Sequence, residues 1–450
     1  MFQTLAMVSA IALGAHGAPG NQIRTDVKTY TGSFSDGATY LIQVPKKWNG
    51  TFVLYSHGYV VPGSSNPALD VGDPVTGKYL LSKGYALGGS SYATTGWAVQ
   101  QALPDQVEVL STFETLVGQP TRTLAWGHSL GGMITAGLVQ QYPTLFNGAL
   151  PMCGVVGGGV GIWNVALDGA FVFNTLLAGN SLQVVNITNP DYNYEAAEAV
   201  LSNAQSTAQG QARIALAAAV ADTPGWYNPA YPPPAPTDYT DQEANQYDWF
   251  SQVDFAFDFA LRAELEARAG GNPSWNTSVD YKTQLAHSVN KAEVIALYQA
   301  AGLSLDADLA TLKAAQRISA DSYAVTYLSQ NIIFDGDISI PVLTMHTEGD
   351  GLVGNQNESA YKLAVDGAGN QADLRQTFIY RAGHCEFTPA EQIAALESLV
   401  ARLDTGRWPN LTPTTLNGIA SALGSTYNPV PPEFNAYHPA QFLRLYNGTP

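Results

Sequence analysis

A serine stands at the centre of a Gly-x-Ser-x-Gly pattern in residues 127–131. Residues 121–126 before it predict a β-strand, and the apolar residues 132–139 after it predict a helix. A serine on such a sharp strand-to-helix turn presents its hydroxyl to a reacting carbonyl group, and the flanking glycines permit the tight backbone. The pattern therefore indicates Ser129 as the nucleophile of an acyl transfer. The alternative is a Gly- and Ser-rich turn without chemistry.

Two further residues have the types and positions that a serine nucleophile needs. A serine hydroxyl is a weak nucleophile at neutral pH, so it requires a histidine as base and a carboxylate that orients the histidine. Asp350 and His384 each follow a predicted strand, residues 341–346 and 376–381 respectively. The carboxyl ends of parallel strands meet at one edge of a sheet, so we expect these side chains to meet Ser129 there.

Neighbouring residues offer alternatives for these roles. Glu348 precedes Asp350 by two residues and is the alternative acid. His57 and His128 lie within motifs, and His346 ends a predicted strand. For these three histidines we expect packing or hydrogen bonding rather than the role of base.

Two backbone N–H groups are predicted to stabilise the oxyanion of the transition state. One belongs to Leu130, directly after the nucleophile. The other belongs to the loop after the predicted strand 51–56, where Tyr59 is the favoured donor and Gly58 gives the backbone room to turn. Removal of one such donor typically lowers the rate by about 10²–10³.

With these motifs in place, the chain resembles the alpha/beta-hydrolase superfamily over residues 38–153 and 339–404. The resemblance implies an α/β fold with Ser129 as nucleophile, His384 as general base and acid, and Asp350 as the group that orients His384. A serine nucleophile argues against relatives that use aspartate there, such as epoxide hydrolases and haloalkane dehalogenases. The segment between the two matching regions resembles no particular subfamily, so the resemblance gives no substrate class.

The alternation of strands and helices predicts a mostly parallel sheet covered on both faces, in a core of residues 20–153 and 339–404. Residues 154–338 are Ala-rich and mostly helical in pattern, so they predict a large cap inserted after the strand that follows the nucleophile helix. Such a cap would cover the substrate site and exclude water from it. The alternative is an independent helical domain. Residues 405–450 predict a coil packed on the body.

The composition limits the classes of partner. The chain has 450 residues, of which 46% are hydrophobic and 13% charged, as is typical of a globular protein rather than a disordered one. The net charge of −17 would repel nucleic acid and anionic membranes, so neither is expected as a partner. No uninterrupted apolar run reaches the length of a membrane span.

Residues 1–19 contain an apolar run followed by small residues, which is typical of a secretory signal peptide, although no Lys or Arg precedes the run. The alternative is a buried N-terminal strand or helix. Secretion is supported by N-x-[ST] sequons, which in a eukaryote predict glycosylation. The sequons are at Asn49, Asn186, Asn276, Asn357, Asn410 and Asn447.

Cys153 and Cys385 are the two cysteines of the chain. Cys153 ends a predicted strand and Cys385 follows His384, so both should lie near the carboxyl edge of the sheet. An oxidising compartment would favour a disulfide between them. In the chain-entropy model, closing this loop of more than two hundred residues would stabilise the fold by roughly 4–5 kcal/mol. The alternative is two buried free thiols.

The substrate pocket is predicted to include Tyr92, Trp97 and Trp163, which would make it apolar and aromatic. Together these features predict a secreted serine hydrolase that cleaves a small-molecule carboxylic ester through an acyl-enzyme, without cofactor or metal. A serine peptidase of the same fold is the first alternative. For a peptidase, an acidic run would suit a substrate with a free amino terminus, although a solvated helix face is the commoner explanation of such a run. Its members are Asp241, Glu243, Asp248, Asp254 and Asp258. A non-catalytic binding protein on a hydrolase scaffold is the alternative of another class.

Overall fold

The computed structural model describes residues 26–448, so the predicted signal peptide lies outside the described residues. A nine-stranded sheet has the order β1-β2-β4-β3-β5-β6-β7-β8-β9. The strands are β1 (Val27–Ser33), β2 (Thr39–Pro45), β3 (Thr51–Ser56), β4 (Ala86–Ser90), β5 (Arg122–His128), β6 (Gly148–Met152), β7 (Val342–Gly349), β8 (Leu374–Ala382) and β9 (Phe434–Asn435). The strands from β4 to β8 in this order pair in parallel, and the outer pairs are antiparallel.

Helices connect the strands and form a large block between β6 and β7. The first helices are α1 (Pro74–Ser82), α2 (Val99–Leu116) and α3 (Leu130–Gln141). The block contains α4 (Gly159–Leu176), α5 (Pro190–Gln205), α6 (Ala208–Val220), α7 (Tyr239–Trp249), α8 (Arg262–Ala269), α9 (Tyr281–His287), α10 (Lys291–Ala300), α11 (Leu305–Ala314) and α12 (Ser322–Asn331). After it come α13 (Gln356–Ala368), α14 (Pro389–Thr405) and α15 (Pro413–Ala422). We call residues 159–331 the helical block.

The sheet has a buried apolar cluster on each face. Along β3, Phe52 and Leu54 belong to one cluster, whereas Val53 and Tyr55 belong to the other. This alternation follows from the two-residue period of a strand. Because both faces are covered, β3 is buried along its whole length, as is usual for a parallel strand.

The helical block has an apolar core of its own. Residues 214–220 of α6 have no exposed surface, and α6 packs against α4, α5 and α10. Phe173, Phe255 and Phe259 join this core with their rings in contact. Between α7 and α8 the chain forms two π-helical segments, Phe250–Asp254 and Phe257–Leu261. Among the described residues, no helix has the length and apolar character that a membrane crossing requires.

The C-terminal segment differs from the predicted coil. Helix α15 begins with a proline at its first position, which suits the fixed φ of proline, and β9 adds to the edge of the sheet by pairing with β8. Further along, Arg444 forms a buried ion pair with Asp168 of α4, with 2.5 Å between Nη1 and Oδ2. The segment therefore contributes a strand to the sheet and an anchor to the helical block.

Candidate active site

Ser129 lies at the turn between β5 and α3. Its backbone has φ 59° and ψ −124°, a left-handed conformation that residues other than glycine rarely adopt. The neighbouring glycines are required by space, because a Cβ at Gly127 would lie 2.5 Å from the carbonyl oxygens of Gly131 and Ser56. A Cβ at Gly131 would overlap the same oxygen of Ser56. Both glycines of the motif therefore allow the serine turn to pack against β3.

His384 and Asp350 meet at the carboxyl edge of the sheet, after β8 and β7. Nδ1 of His384 lies 2.7 Å from Oδ2 of Asp350, and Oδ1 of Asp350 accepts the N–H of Val353. Burial alone would raise the pKa of Asp350, but the charge of His384 and hydrogen bonds from His346 and His384 outweigh it and lower the pKa. This pair leaves Nε2 of His384 as the nitrogen that can exchange a proton with a nucleophile.

Glu348, the alternative acid, lies elsewhere. Its Oε1 accepts a hydrogen bond from Nδ2 of Asn435 at 2.8 Å. The structure thus brings Asp350 rather than Glu348 to His384.

Ser129 and His384 line one cavity, yet among the described residues Oγ of Ser129 is not hydrogen-bonded to His384. Nε2 of His384 lies 3.4 Å from Sγ of Cys385 instead. Catalytic hydrogen bonds are often long or poorly aligned without substrate and tighten in the substrate complex. We therefore expect a modest shift of either side chain when substrate binds.

The predicted oxyanion donors lie next to Ser129. Leu130 is the first residue of α3, so its N–H has no partner inside the helix, and the helix N-terminus favours negative charge. A Cβ at Gly58 would lie 3.3 Å from Cβ of Ser129, which places the loop with Tyr59 directly beside the nucleophile. Leu130 and Tyr59 both line the cavity.

The cavity has a volume of about 270 Å³ and lies between the carboxyl edge of the sheet and the helical block. Trp97 and Trp163, predicted to contact substrate, both line it and touch each other edge to face. The cavity also has lining residues beyond the predicted triad, oxyanion donors and pocket aromatics, and two of them, Asp254 and Asp258, belong to the acidic run. These further lining residues include Asp222, Phe250, Asp254, Phe257, Asp258 and Phe442.

Tyr92 is a correction to the predicted pocket, because it is not among the lining residues. Its ring stacks on His57, with 3.9 Å between ring centroids, and its hydroxyl donates to the carbonyl of His57. Tyr92 thus supports the loop that carries Tyr59 from behind. His57 contacts the carbonyl oxygens of Gly58 and Ser91 and has a pKa lowered by burial.

The other two histidines also have structural partners. Nδ1 of His128 lies 3.1 Å from the hydroxyl of Tyr55, and burial followed by the charge of His384 lowers the pKa of His128 to about 4. His346 is wholly buried, with Nδ1 3.2 Å from Oε1 of Glu358 and Nε2 2.7 Å from the carbonyl oxygen of Val353 and 3.5 Å from Oδ2 of Asp350. Burial lowers the pKa of His346, but hydrogen bonds to both carboxylates outweigh it and raise the pKa to about 10. A buried cation therefore lies behind Asp350.

Replacing His346 with glutamine is expected to lower the free energy of unfolding by about 3–5 kcal/mol at pH 6, because two buried carboxylates lose their cation. Since folding raises the pKa of His346 above its ordinary value of 6.5, its contribution is complete below pH 6.5 and is lost as the pH rises through about 10. Urea denaturation of the wild-type and variant proteins between pH 6 and pH 10 measures the difference in their free energies of unfolding. A difference that stayed constant or grew with pH would contradict a charged His346.

The two cysteines form a disulfide, as predicted. Cys153 directly follows β6, and its N–H donates to the carbonyl of Met345 in β7. Cys385 is adjacent to His384, so the bridge ties the histidine loop to the centre of the sheet. The sulfur atoms lie close to a ring nitrogen of His384, but oxidised sulfurs offer no thiolate to a metal ion.

Removing the disulfide with the double change Cys153→Ala and Cys385→Ala is expected to lower the free energy of unfolding by about 4–5 kcal/mol. We also expect a loss of turnover, because the loop carrying His384 gains freedom. Denaturant unfolding and steady-state kinetics measure the two effects. Equal stability with and without the bridge would contradict a structural role for it.

The predicted glycosylation sites differ in their exposure to solvent. Asn276 and Asn357 are wholly buried, and their side chains are hydrogen-bonded to Tyr281 and to the backbone of Gly157 and Gly354. A glycan has no room there, so the prediction for these two asparagines was wrong. The other four are exposed; they are Asn49, Asn186, Asn410 and Asn447.

Similarity to a known protein shows the family of this chain. No family profile matches the chain. An o-phthalyl amidase from Xanthobacter agilis is 30% identical over 424 residues, which cover 87% of this chain and 90% of the amidase. The chain belongs to the family of this amidase. The predicted α/β fold with a mostly parallel sheet is confirmed by the strand pairing.

Two solved structures are also similar to this chain. An esterase from Aspergillus oryzae has a TM-score of 0.43 at 16% identity, over 85% of this chain and 80% of the esterase. Feruloyl esterase B from the same organism has a TM-score of 0.42 at 13% identity, over 85% and 82%. These overlaps are too low to transfer a site, so the family assignment depends on the amidase.

Proposed function

We propose that this hydrolase cleaves carboxylic esters of small molecules through an acyl-enzyme on Ser129, His384 and Asp350. The observation that carries the proposal is the 2.7 Å contact of His384 with Asp350 at the cavity that Ser129 also lines. A histidine oriented by a buried carboxylate beside a serine on a tight turn is the arrangement that activates a serine hydroxyl.

In the proposed reaction, Oγ of Ser129 attacks the ester carbonyl while Nε2 of His384 takes the hydroxyl proton. The N–H groups of Leu130 and Tyr59 hold the oxyanion of the tetrahedral intermediate. His384 then gives its proton to the leaving alcohol, and the acyl group remains on Ser129. Water activated by His384 releases the acid and restores the serine.

We propose that residues 154–338 act as a cap on this site. Side chains of the helical block, among them Trp163 and Phe257, line the cavity opposite Ser129 and His384. Ordered helices over the carboxyl edge of the sheet would exclude bulk water and strengthen the electrostatic interactions within the cavity.

An amide is the second candidate substrate. It is favoured by the 30% identical o-phthalyl amidase, whose name states an amide substrate. The same serine machinery cleaves both classes, and only the leaving group differs. The family relationship therefore supports amide hydrolysis, whereas the apolar, aromatic wall of the cavity suits an acyl or aryl ester.

We also propose that the protein is secreted. The disulfide and the exposed sequons support this location, because disulfides persist in oxidising compartments. N-terminal sequencing of protein recovered from culture medium, which we expect to begin near residue 20, tests it. Retention of Met1 in the recovered protein would contradict a cleaved signal peptide.

The function is tested by turnover of p-nitrophenyl esters from acetate to palmitate beside matched p-nitroanilides. We expect ester turnover to exceed anilide turnover and to show an optimum chain length that the cavity volume limits. A fluorophosphonate probe should label Ser129, as peptide mapping would show. Anilide turnover above ester turnover would move the assignment to an amidase or peptidase. Absence of labelling and of turnover would favour a binding protein on a hydrolase scaffold.

A further inference from the structure

Carboxyl groups line the candidate active site in addition to the triad acid. Asp254 and Asp258 belong to the two π-helical segments, and both line the cavity that contains Ser129 and His384. π-helical turns are rare and often occur at functional sites. Each segment places one carboxyl group at a wall that is mostly aromatic and aliphatic.

The carboxyl group of Asp254 has no partner among the described residues. Its side chain is buried, with only 8% of the residue exposed, and its Oδ1 accepts no hydrogen bond. Asp258 is 7% exposed and likewise accepts no hydrogen bond from a described residue. A buried polar group without a partner has a substantial free-energy cost unless a ligand completes it. This is the observation that points to a bound group.

Lysine and arginine side chains do not fill this role by direct contact. No lysine or arginine of the described chain lines the cavity. The charge of Arg262 acts on Asp258, but its guanidinium group is hydrogen-bonded to Glu266 at 3.1 Å and to Asn272 at 2.9 Å. A cationic ligand in the cavity would therefore supply the partner that these side chains do not.

The rest of the wall suits a cation as well. Aromatic faces attract ammonium groups through their quadrupole, and such attraction strengthens when water is excluded. The aromatic lining consists of Tyr59, Trp97, Trp163, Phe250, Phe257 and Phe442. An anionic substrate group would be disfavoured in this cavity, because Asp222 adds a third carboxyl group to the lining.

The electrostatics of the two carboxyl groups agree with this chemistry. Burial, followed by the neighbouring carboxylates of Asp258 and Asp350, raises the pKa of Asp254 well above its ordinary value. Burial raises the pKa of Asp258 to about 8, against the lowering effect of Arg262. An ammonium group beside them would lower both pKa values, because an opposite charge favours the ionised form of a carboxyl group.

We propose that Asp254 and Asp258 form a subsite for a cationic amine, so that the preferred substrates carry an ammonium group on the acyl part. The inference depends on the proposed hydrolase function for its kinetic test. It is independent of that function for its binding test, because an alkylammonium ion needs only the subsite.

The kinetic test compares p-nitrophenyl 6-aminohexanoate with p-nitrophenyl heptanoate, in which a methyl group replaces the ammonium group. We expect wild-type kcat/KM to be at least about tenfold higher for the cationic ester, as is typical of hydrogen bonds to charged groups. In Asp254→Asn and in Asp258→Asn the ratio should fall to about one. Asp248→Asn is the matched control, since Asp248 is a half-buried carboxyl of α7 outside the cavity lining, and it should retain the wild-type ratio.

Binding of n-butylammonium to the wild-type protein, measured by calorimetry against n-butanol, gives a readout that needs no turnover and no folded variant. We expect binding heat from the ammonium ion only, and a heat that changes with the ionisation enthalpy of the buffer, because the buffer takes up the released proton. A wild-type ratio of one or less, a preference for the anionic monoester of pimelic acid, or equal binding of butanol would overturn the subsite. If the wild-type protein bound the ammonium ion but turned over neither ester, the result would instead contradict the proposed hydrolase function.

Discussion

Replacing Ser129 with alanine is expected to lower kcat for the best p-nitrophenyl ester by about 10⁵- to 10⁶-fold, as the loss of a serine nucleophile does in other triad enzymes. The methyl group cannot form the acyl-enzyme, and His384 has no hydroxyl proton to remove. The remaining rate would come from water held between His384 and the N–H groups of Leu130 and Tyr59. Steady-state kinetics, with the concentration of wild-type active sites determined by titration, measures the change in kcat.

Ser398→Ala is the matched control for this prediction. Ser398 is a buried serine of α14 whose Oγ donates to the carbonyl of Ala394, away from the cavity. We expect this variant to retain full turnover. A Ser129→Ala protein that keeps more than about a hundredth of the wild-type rate, with native circular dichroism, would assign the nucleophile to another residue.

Replacing Asp350 with asparagine is expected to lower kcat by about 10³–10⁴-fold with little change in KM. Nδ1 of His384 now donates to a carboxylate oxygen at 2.7 Å, which leaves Nε2 free to accept a proton. An amide N–H in that place would favour the opposite tautomer, with the proton on Nε2, and would remove the charge that stabilises the imidazolium ion. The rate should recover partly at high pH, because solvent hydroxide can then remove the hydroxyl proton of Ser129 in place of His384.

Glu348→Gln separates the two possible acids. Glu348 contacts Asn435 rather than His384, so we expect its replacement to change kcat by less than about threefold. Steady-state kinetics on both variants measures the contrast. A larger loss in Glu348→Gln than in Asp350→Asn would contradict the assignment of Asp350.

The parts of the candidate site that the sequence indicated, and that the structure brings together, are those with local signals. Ser129 has two glycines and a strand-to-helix transition around it, and the structure shows why, since a side chain at Gly127 or Gly131 would collide with β3. Asp350 and His384 were recognisable because each follows a strand, and parallel strands bring their carboxyl ends together. The sheet itself follows from the same alternation of strands and helices.

The parts that the sequence did not predict depend on contacts between distant segments. A sequon is a three-residue pattern, so it could not show that Asn276 and Asn357 are buried. Tyr92 follows a strand at the correct edge, but only the stacking with His57 reveals that it lies behind the wall of the cavity. Asp254 and Asp258 stood out as an acidic run, yet their direction into the cavity comes from two π-helical turns that no sequence period signals.

The C-terminal segment links the wall of the cavity to the core of the helical block. Phe442 forms part of the cavity wall, Arg444 joins Asp168, and the N–H of Leu443 lies 3.4 Å from Asp222 at the same wall. Because these contacts come from three successive residues, a proteolytic cut before Phe442 would remove part of the wall and the partner of a buried carboxylate together. We expect the clipped protein to lose stability and turnover at the same time.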